Sequence, residues 1–227
     1  MMRFVGRLVV MGVVGAGAVF GSKNSADAGL LISGIIDGPR SGGLPKVVEL
    51  YATEDIADLS TWDLEYYFNA NVTPSVTAVL SGSASAGDYV YVASESVEST
   101  AYFGFAPDFT NGGSFNGDDS VVLRENSVQI DVFGSPGTDG TGQPWEYLDS
   151  WFYRVDGTSA STTWTAADWT SPGVNALDSL GATGTNPASG SLRMPVGTYA
   201  AVVPEPSFFA FAGLGVAAVG WRLRRRR

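Results

Sequence analysis

The sequence contains no cysteine and no histidine, and only 16% of its 227 residues are charged. The absence of cysteine excludes disulfide bonds, thiolate nucleophiles and cysteine ligands for zinc. The absence of histidine excludes a Ser-His-Asp triad and most transition-metal sites. The apolar content of 44% is too high for a disordered chain. The composition therefore predicts a folded protein but identifies neither a reaction nor a ligand.

Charge is distributed unevenly along the chain. Residues 29–203 carry five basic and 21 acidic side chains, so their net charge is 5 − 21 = −16. Most of the other basic residues are arginines near the two ends. An acidic body repels phosphate groups, so we expect no nucleic-acid partner. The same charge would suit solubility, divalent cations or a basic partner.

Residues 1–28 have the three parts of a secretory signal peptide. Arg3 and Arg7 form a positive start, residues 8–20 are apolar or glycine, and an A-x-A pattern ends at Ala28. A helix of that apolar length spans about 20 Å, less than a hydrocarbon core of about 30 Å. This favours a cleaved signal over an uncleaved anchor. The sequence predicts that signal peptidase cuts between Ala28 and Gly29.

Residues 204–227 combine a stiff tripeptide, an apolar run and a basic end. Pro204, Glu205 and Pro206 are held extended because proline fixes its own φ and restricts the preceding residue. Residues 207–221 are uncharged and almost wholly apolar. The basic residues that follow would resist export: Arg222, Arg224, Arg225, Arg226 and Arg227. A plain C-terminal membrane anchor is the alternative.

In this order, the tripeptide, the apolar helix and the arginine cluster resemble the PEP-CTERM sorting signal. The resemblance implies a Gram-negative-type envelope and processing at or near residues 204–206 by a membrane transpeptidase called exosortase. It also implies that a short transmembrane helix anchors the protein in the inner membrane until processing, which leaves it at the cell surface or outside the cell. Such proteins are commonly linked to exopolysaccharide and biofilm formation, so exopolysaccharide is a further expected partner.

Residues 29–178 have the pattern of an all-β domain. Short apolar segments alternate with turns rich in Gly, Pro, Asn and Asp, and no segment is convincingly an amphipathic helix. A period-two pattern places Trp62, Leu64, Tyr66 and Phe68 on one face. A hairpin is expected to turn at residues 125–127. The predicted strands are residues 30–36, 46–52, 62–68, 76–80, 88–93, 101–105, 120–124, 128–133 and 150–154.

Three blocks of this body, residues 30–50, 115–147 and 164–179, resemble the lamin-tail domain of secreted bacterial proteins. The resemblance implies an immunoglobulin-like β-sandwich over residues 29–178. The domain accompanies extracellular nucleases in some proteins, but nuclease activity does not carry over to a chain without histidine. Residues 179–203 are small, polar and proline-containing, which predicts a flexible linker before the sorting signal.

The candidate cation ligands are acidic residues in glycine-rich loops. Asp118, Asp119 and Asp139 could offer the carboxylate oxygens that Ca²⁺ prefers, and Asp131 could point to the same end of the domain. Asp residues in such loops also bond to the backbone in Asx turns, and we favour this interpretation. We therefore predict no cofactor, with Ca²⁺ as the alternative.

Enzymatic and sugar-binding alternatives rest on residue types alone. A glycoside hydrolase with two carboxylates would draw on Glu49, Glu65 and Glu146. A Ser–Lys hydrolase would need Lys46, which we expect at the surface. Aromatic rings stack on sugars but more often fill cores, and we expect a core position for these tryptophans: Trp62, Trp145, Trp151, Trp164 and Trp169.

These observations predict a non-enzymatic protein, with no catalytic residue, that is exported to the cell surface or the extracellular matrix. The alternative is a secreted carbohydrate-binding module or a carboxylate-dependent glycoside hydrolase.

Overall fold

The computed structural model describes residues 29–201, which form nine β-strands and one short α-helix. Eight of the nine predicted strand segments are strands in this structure. The predicted signal helix and transmembrane helix lie outside the described residues. In chain order the elements are β1 (Leu30–Arg40), β2 (Leu44–Ala52), β3 (Trp62–Tyr67), β4 (Val76–Val79), β5 (Tyr89–Ala93), α1 (Val97–Phe103), β6 (Ser120–Glu125), β7 (Val128–Phe133), β8 (Ser150–Arg154) and β9 (Trp169–Thr170).

The strands form two antiparallel sheets that pack as a β-sandwich, as the sequence predicts at this coarse level. One sheet has the order β5-β2-β1-β8-β9, and the other has the order β4-β3-β6-β7. The inner core contains apolar side chains from both sheets, including Val48, Leu64 and Phe133. Trp62, Leu64 and Tyr66 are buried in this core as the period-two pattern predicts, and Phe68 packs against it.

The hairpin of β6 and β7 turns where the sequence predicts. Glu125 pairs with Val128, so Asn126 and Ser127 form a two-residue loop. Both loop residues have positive φ, at 49° and 67°. This combination is typical of the turn whose twist matches that of two antiparallel strands.

A β-bulge in β1 changes which side chains face the core. Leu30 and Ile32 face the inner core, but so does Ile35, which a strict period of two would turn outward. The register with β2 shifts between Ile32 and Gly34, so Ser33 is the extra residue. Strand β1 buries apolar residues on both of its faces, since Leu31 and Ile36 belong to a second cluster on the outer side.

Residues 101–105 are not a strand as predicted, because residues 97–103 form the helix α1. Its first turn is capped by Glu95, whose carboxylate accepts the N–H groups of Glu98 and Ser99 at 2.7 and 3.0 Å. Gly104 ends the helix in the left-handed conformation, with φ of 84°. The prediction treated residues 101–105 as one of the short apolar segments, but these local terminal bonds favour a helix, and Tyr102 is buried in the outer cluster.

The predicted linker differs most from the structure. Up to Ala201 it is part of the folded domain, because residues 185–201, which we call the strap, lie across the outer face of the five-stranded sheet. Met194 and Tyr199 are 0% and 2% exposed and join Trp151 and Tyr153 in the outer cluster. Met194 and Tyr199 stand among small polar residues, so the composition of the segment predicted a linker. The structure instead packs the segment against the sheet.

Candidate functional site

The predicted processing residues lie mostly outside the described residues. Ala28, the tripeptide Pro204, Glu205 and Pro206, and the five terminal arginines are all outside residues 29–201. Gly29 is described and buried, and its carbonyl accepts the N–H of Thr53 at 3.0 Å. A Cβ at Gly29 would lie 2.9 Å from the Trp62 ring, so Gly29, the residue after the predicted cut, is packed against the domain.

Two of the three candidate calcium residues, Asp118 and Asp139, lie in two neighbouring loops and both bond to Thr141. Asp118 Oδ2 accepts the Thr141 hydroxyl at 3.2 Å, and Asp139 Oδ1 accepts the N–H of Thr141 at 2.9 Å. The second bond is an Asx turn, and the donating N–H lowers the pKa of Asp139. Asp118 Oδ1 is buried and has no hydrogen-bond partner within residues 29–201.

Asp119 and Asp131 do not bond to Thr141 and have other partners. Asp119 is 1% exposed and accepts the N–H groups of Asn69 and Asn116, each at 2.6 Å. Burial raises its pKa, and these two donors oppose the shift. Across residues 29–201 no group of three or more Asp, Glu, His or Cys side chains is arranged to hold a metal ion.

Asp131 instead forms a buried ion pair with Arg154, which joins the two sheets. Asp131 Oδ2 lies 2.5 Å from Arg154 Nη2, and both side chains are 1% exposed. The same carboxylate accepts the N–H of Ile32 at 2.9 Å, while Arg154 Nε donates to the Ile32 carbonyl at 2.6 Å. The pair thus bonds to both backbone groups of the residue before the bulge in β1. Burial raises the pKa of Asp131, and Arg154 opposes the shift.

Lys46 is buried, so the expectation of a surface residue is wrong. Its side chain is 5% exposed, and Nζ lies 2.5 Å from Asp37 Oδ1. The other oxygen of Asp37 accepts the N–H of Gly117 at 3.0 Å. The pairing of β1 with β2 places Asp37 opposite Lys46, which the sequence could not reveal without the register.

The three glutamates proposed for a glycosidase have separate environments. Glu49 lies on β2 under the strap, Glu65 lies on β3 of the other sheet and pairs with Arg124, and Glu146 accepts the N–H of Gly142 in a loop. Retaining and inverting glycosidases both need two carboxylates that flank one bond. The partners of these glutamates in the described residues are hydroxyl groups, backbone N–H groups and the Arg124 guanidinium.

Glu49 connects the strap to the sheet, and sequence reasoning missed this role. It is 0% exposed, and its Oε1 accepts the hydroxyls of Ser33 and Tyr153 at 2.7 and 2.8 Å. Its Oε2 accepts the N–H of Gly197 in the strap at 2.7 Å. Burial raises the pKa of Glu49 above its ordinary value of 4.5, against these donors. The one available signal was a lone acidic residue in a strand whose other residues, apart from Lys46, are apolar or aromatic.

Four of the five tryptophans predicted to lie in a core are members of the two buried apolar clusters. Trp62, Trp145, Trp151 and Trp169 are between 2% and 7% exposed. Trp164 is half-buried and meets Phe133 and Phe152 edge to face.

One cleft of about 430 Å³ opens beside Trp145 and Trp164. All of its lining residues are uncharged, and the polar ones are Gln129, Ser135, Thr162 and Thr163. The Trp164 indole nitrogen is buried and has no hydrogen-bond partner in the described part of the chain. The cleft thus combines aromatic surface with hydroxyl and amide groups.

Comparison with known proteins adds one decisive finding. Residues 202–226 match a family described as the PEP-CTERM protein-sorting motif. The chain carries a PEP-CTERM sorting signal. The signal indicates an exported protein that exosortase sorts, with membrane-anchored sorting to the cell surface. No curated protein and no solved structure matches the chain.

The PEP-CTERM match begins directly after the last described residue. No helix within residues 29–201 is long and apolar enough to cross a membrane. The strap therefore leads from the folded domain straight into the sorting signal.

Proposed function

We propose that this chain is a non-catalytic protein of the cell surface or extracellular matrix, displayed after exosortase has processed it. The observation that carries the proposal is the PEP-CTERM match at residues 202–226. A link to exopolysaccharide or biofilm is part of the proposal and follows from the class of sorting signal.

The interior of the described domain supports a non-catalytic role. The buried carboxylates Asp37, Glu49 and Asp131 are each bonded to neighbouring protein groups. A general acid or base must instead reach a proton on the substrate. The lining of the Trp145–Trp164 cleft includes no acid, no base and no lysine.

We further propose that the sandwich is related to the lamin-tail domain. The support is its two antiparallel sheets and the three sequence blocks that carry the resemblance. Comparison of the strand order of this sandwich with that of a lamin-tail domain of known structure tests the relation.

Mass spectrometry of the mature protein tests the sorting proposal. The mature chain should begin at Gly29 and lack everything from about Ser207 onward, because the apolar run stays with the membrane. Alanine in place of Pro204, Glu205 and Pro206 should leave the protein unprocessed in the inner membrane. A native protein that retains Arg227, or an alanine variant that is processed normally, would replace this proposal with a plain anchor.

The cleft beside Trp145 and Trp164 favours one second candidate function, binding of a neutral carbohydrate. Its aromatic and hydroxyl lining is the kind that small polar ligands use. A Thr163→Arg variant should block the cleft and abolish retention on immobilised neutral polysaccharide. Thr77→Arg, at an exposed position on β4, is the matched control. If the unmodified domain shows no retention on such polysaccharides, this candidate is rejected.

A further inference from the structure

The strap is bonded to the domain as far as the residues that precede the sorting signal. The Ala200 N–H donates to Asp156 Oδ1 at 3.0 Å, and the Gly157 N–H donates to the Ala200 carbonyl at 2.8 Å. Ala201 packs half-buried against the outer cluster. The sorting match begins at residue 202, so no unattached residue separates the folded chain from the signal.

This attachment limits the distance between the domain and the tripeptide. Four Cα–Cα steps join Ala200 to Pro204, and even a fully extended chain spans at most about 14 Å over them. An enzyme that binds the tripeptide together with the residues before it must therefore work close to the surface loop of residues 155–158. A folded domain this near would obstruct an enzyme that takes up extended chain.

Tyr199 is the strongest attachment at this end of the strap. Its side chain is 2% exposed, and its hydroxyl donates to the Thr158 carbonyl at 2.7 Å. Its N–H donates to the Tyr153 hydroxyl at 2.9 Å, and its carbonyl accepts the Tyr89 hydroxyl at 2.6 Å. The ring packs edge-on against Tyr51, with the ring centres 5.0 Å apart.

The residues on either side of Tyr199 are held less firmly. Thr198 and Ala200 are exposed. The Thr198 N–H donates to the Tyr153 hydroxyl, and the Ala200 N–H donates to Asp156 at the surface. Residues 200 and 201 can therefore detach at small cost, whereas detaching Tyr199 exposes a buried aromatic side chain and breaks three hydrogen bonds.

We propose that Tyr199 is a latch that limits how much chain exosortase can take up, so that the folded domain slows the processing of its own sorting signal. The inference rests on the proposed sorting function. Processing proceeds through the fraction of molecules in which the strap has opened past Tyr199, and the rate falls with that fraction.

Lengthening the chain between the latch and the signal tests the proposal. A flexible spacer of about eight Gly and Ser residues, inserted in the full chain between Ala201 and Val202, places the signal well clear of the domain. In a host that contains exosortase, a pulse-chase measurement should show the precursor maturing about threefold faster or more. The matched control carries the same spacer after Gly142, where an added side chain would meet open space.

Substitutions at the latch provide an independent measurement. Tyr199→Ala removes the ring and the hydroxyl and should accelerate processing to a similar extent. Tyr199→Phe retains the ring against Tyr51, loses the bond to Thr158, and should have a smaller effect. Thermal melting of residues 29–201 with each substitution shows whether the sandwich still folds. The spacer variant leaves the folded sequence intact and tests the latch if Tyr199→Ala does not fold.

The outcomes separate the latch from the sorting function itself. An unchanged rate with the spacer overturns the latch, and a slower rate overturns it too, because the domain surface would then assist the enzyme. In the same assay, alanine in place of residues 204–206 should block processing. If that variant matures normally, the sorting function fails, whereas a blocked variant combined with a neutral spacer rejects the latch alone.

Discussion

The buried carboxylates of this protein are stabilised by different kinds of partner. Asp131 and Asp37 are paired with Arg154 and Lys46, whereas Asp119 is held by two backbone N–H groups. Glu49 is held by hydroxyl and amide donors in place of a cation. An ionised carboxylate without a paired cation is costly to bury, and Glu49 is 0% exposed, so its ionisation should lower the stability of the folded state.

Glu49 should make the folded state less stable as pH rises. Its pKa in the folded state is raised above 4.5, so between that value and the folded pKa the folded protein binds more protons than the unfolded chain. The free energy of unfolding should therefore fall with pH relative to Glu49→Gln, by at most about 1.4 kcal/mol per pH unit. Urea unfolding from about pH 5 to 8 measures this difference.

Glu146→Gln controls for the general loss of one negative charge. If the native protein gains stability relative to Glu49→Gln as pH rises, the three donors outweigh burial and the expected direction is wrong.

Trp62→Ala should lower the free energy of unfolding by about 3–5 kcal/mol, because Trp62 is 2% exposed in the inner core. Val72→Ala is the control, since Val72 is 80% exposed and should change stability by less than about 0.5 kcal/mol. Denaturant unfolding of both variants gives the comparison. A loss below about 1 kcal/mol at Trp62 would contradict its core position.

At the scale of elements, the outer face of the five-stranded sheet carries a second buried apolar cluster besides the inner core. This face is covered by α1 and the strap, and its cluster includes Leu31, Trp151 and Met194. Gly34 provides the space, because a Cβ there would lie 2.6 Å from Met194 Cε and 2.9 Å from the Tyr153 ring. The outer cluster of the sandwich therefore includes side chains from the strap, as far as Ala201.

A fragment that stops at residue 178 should be much less stable than one that ends at residue 201. Loss of the strap uncovers the outer cluster and removes Met194 and Tyr199, so the free energy of unfolding should fall by about 4 kcal/mol or more. Circular dichroism of residues 29–201 should show a β spectrum and a cooperative transition.

Met194→Ala in the longer fragment should lose part of that stability, about 2–5 kcal/mol. Equal stability of the two fragments would show that the strap contributes nothing and would return it to the role of a linker.

For the whole molecule, the net charge of −16 over residues 29–203 dominates its response to ions. The acidic loops place Asp118 and Asp139 near one another but satisfy Asp139 within its own turn. Cations should therefore stabilise the protein mainly by screening repulsion between acidic groups.

Calcium and magnesium should raise the melting temperature by similar small amounts, and the double variant Asp118→Asn with Asp139→Asn should retain that rise. Differential scanning fluorimetry with each chloride salt measures it. A rise produced by Ca²⁺ alone and lost in the double variant would establish a calcium site, since selective binding to the folded state stabilises it.

The sequence by itself determined the features that depend on neighbouring residues. The sorting signal is contiguous, and the PEP-CTERM match confirms it. Short apolar segments between turns located most strands, with period-two alternation in residues 62–68, and the residues of the β6–β7 loop located that hairpin, because these signals depend on local backbone geometry. The terminal bonds of α1 are local too, but the prediction counted residues 101–105 among the short apolar strand segments and did not use the Glu95 cap.

Tertiary structure decided the features whose partners are far apart in the chain. The Glu49 carboxylate bonds to Gly197 across 148 positions, and the Asp131 carboxylate bonds to Ile32 across 99. No local pattern specifies such a contact, because it exists only after the strands have paired and the bulge in β1 has set its register. For the same physical reason, a segment with the composition of a linker became a buried strap, and the buried partner of Lys46 could not be foreseen.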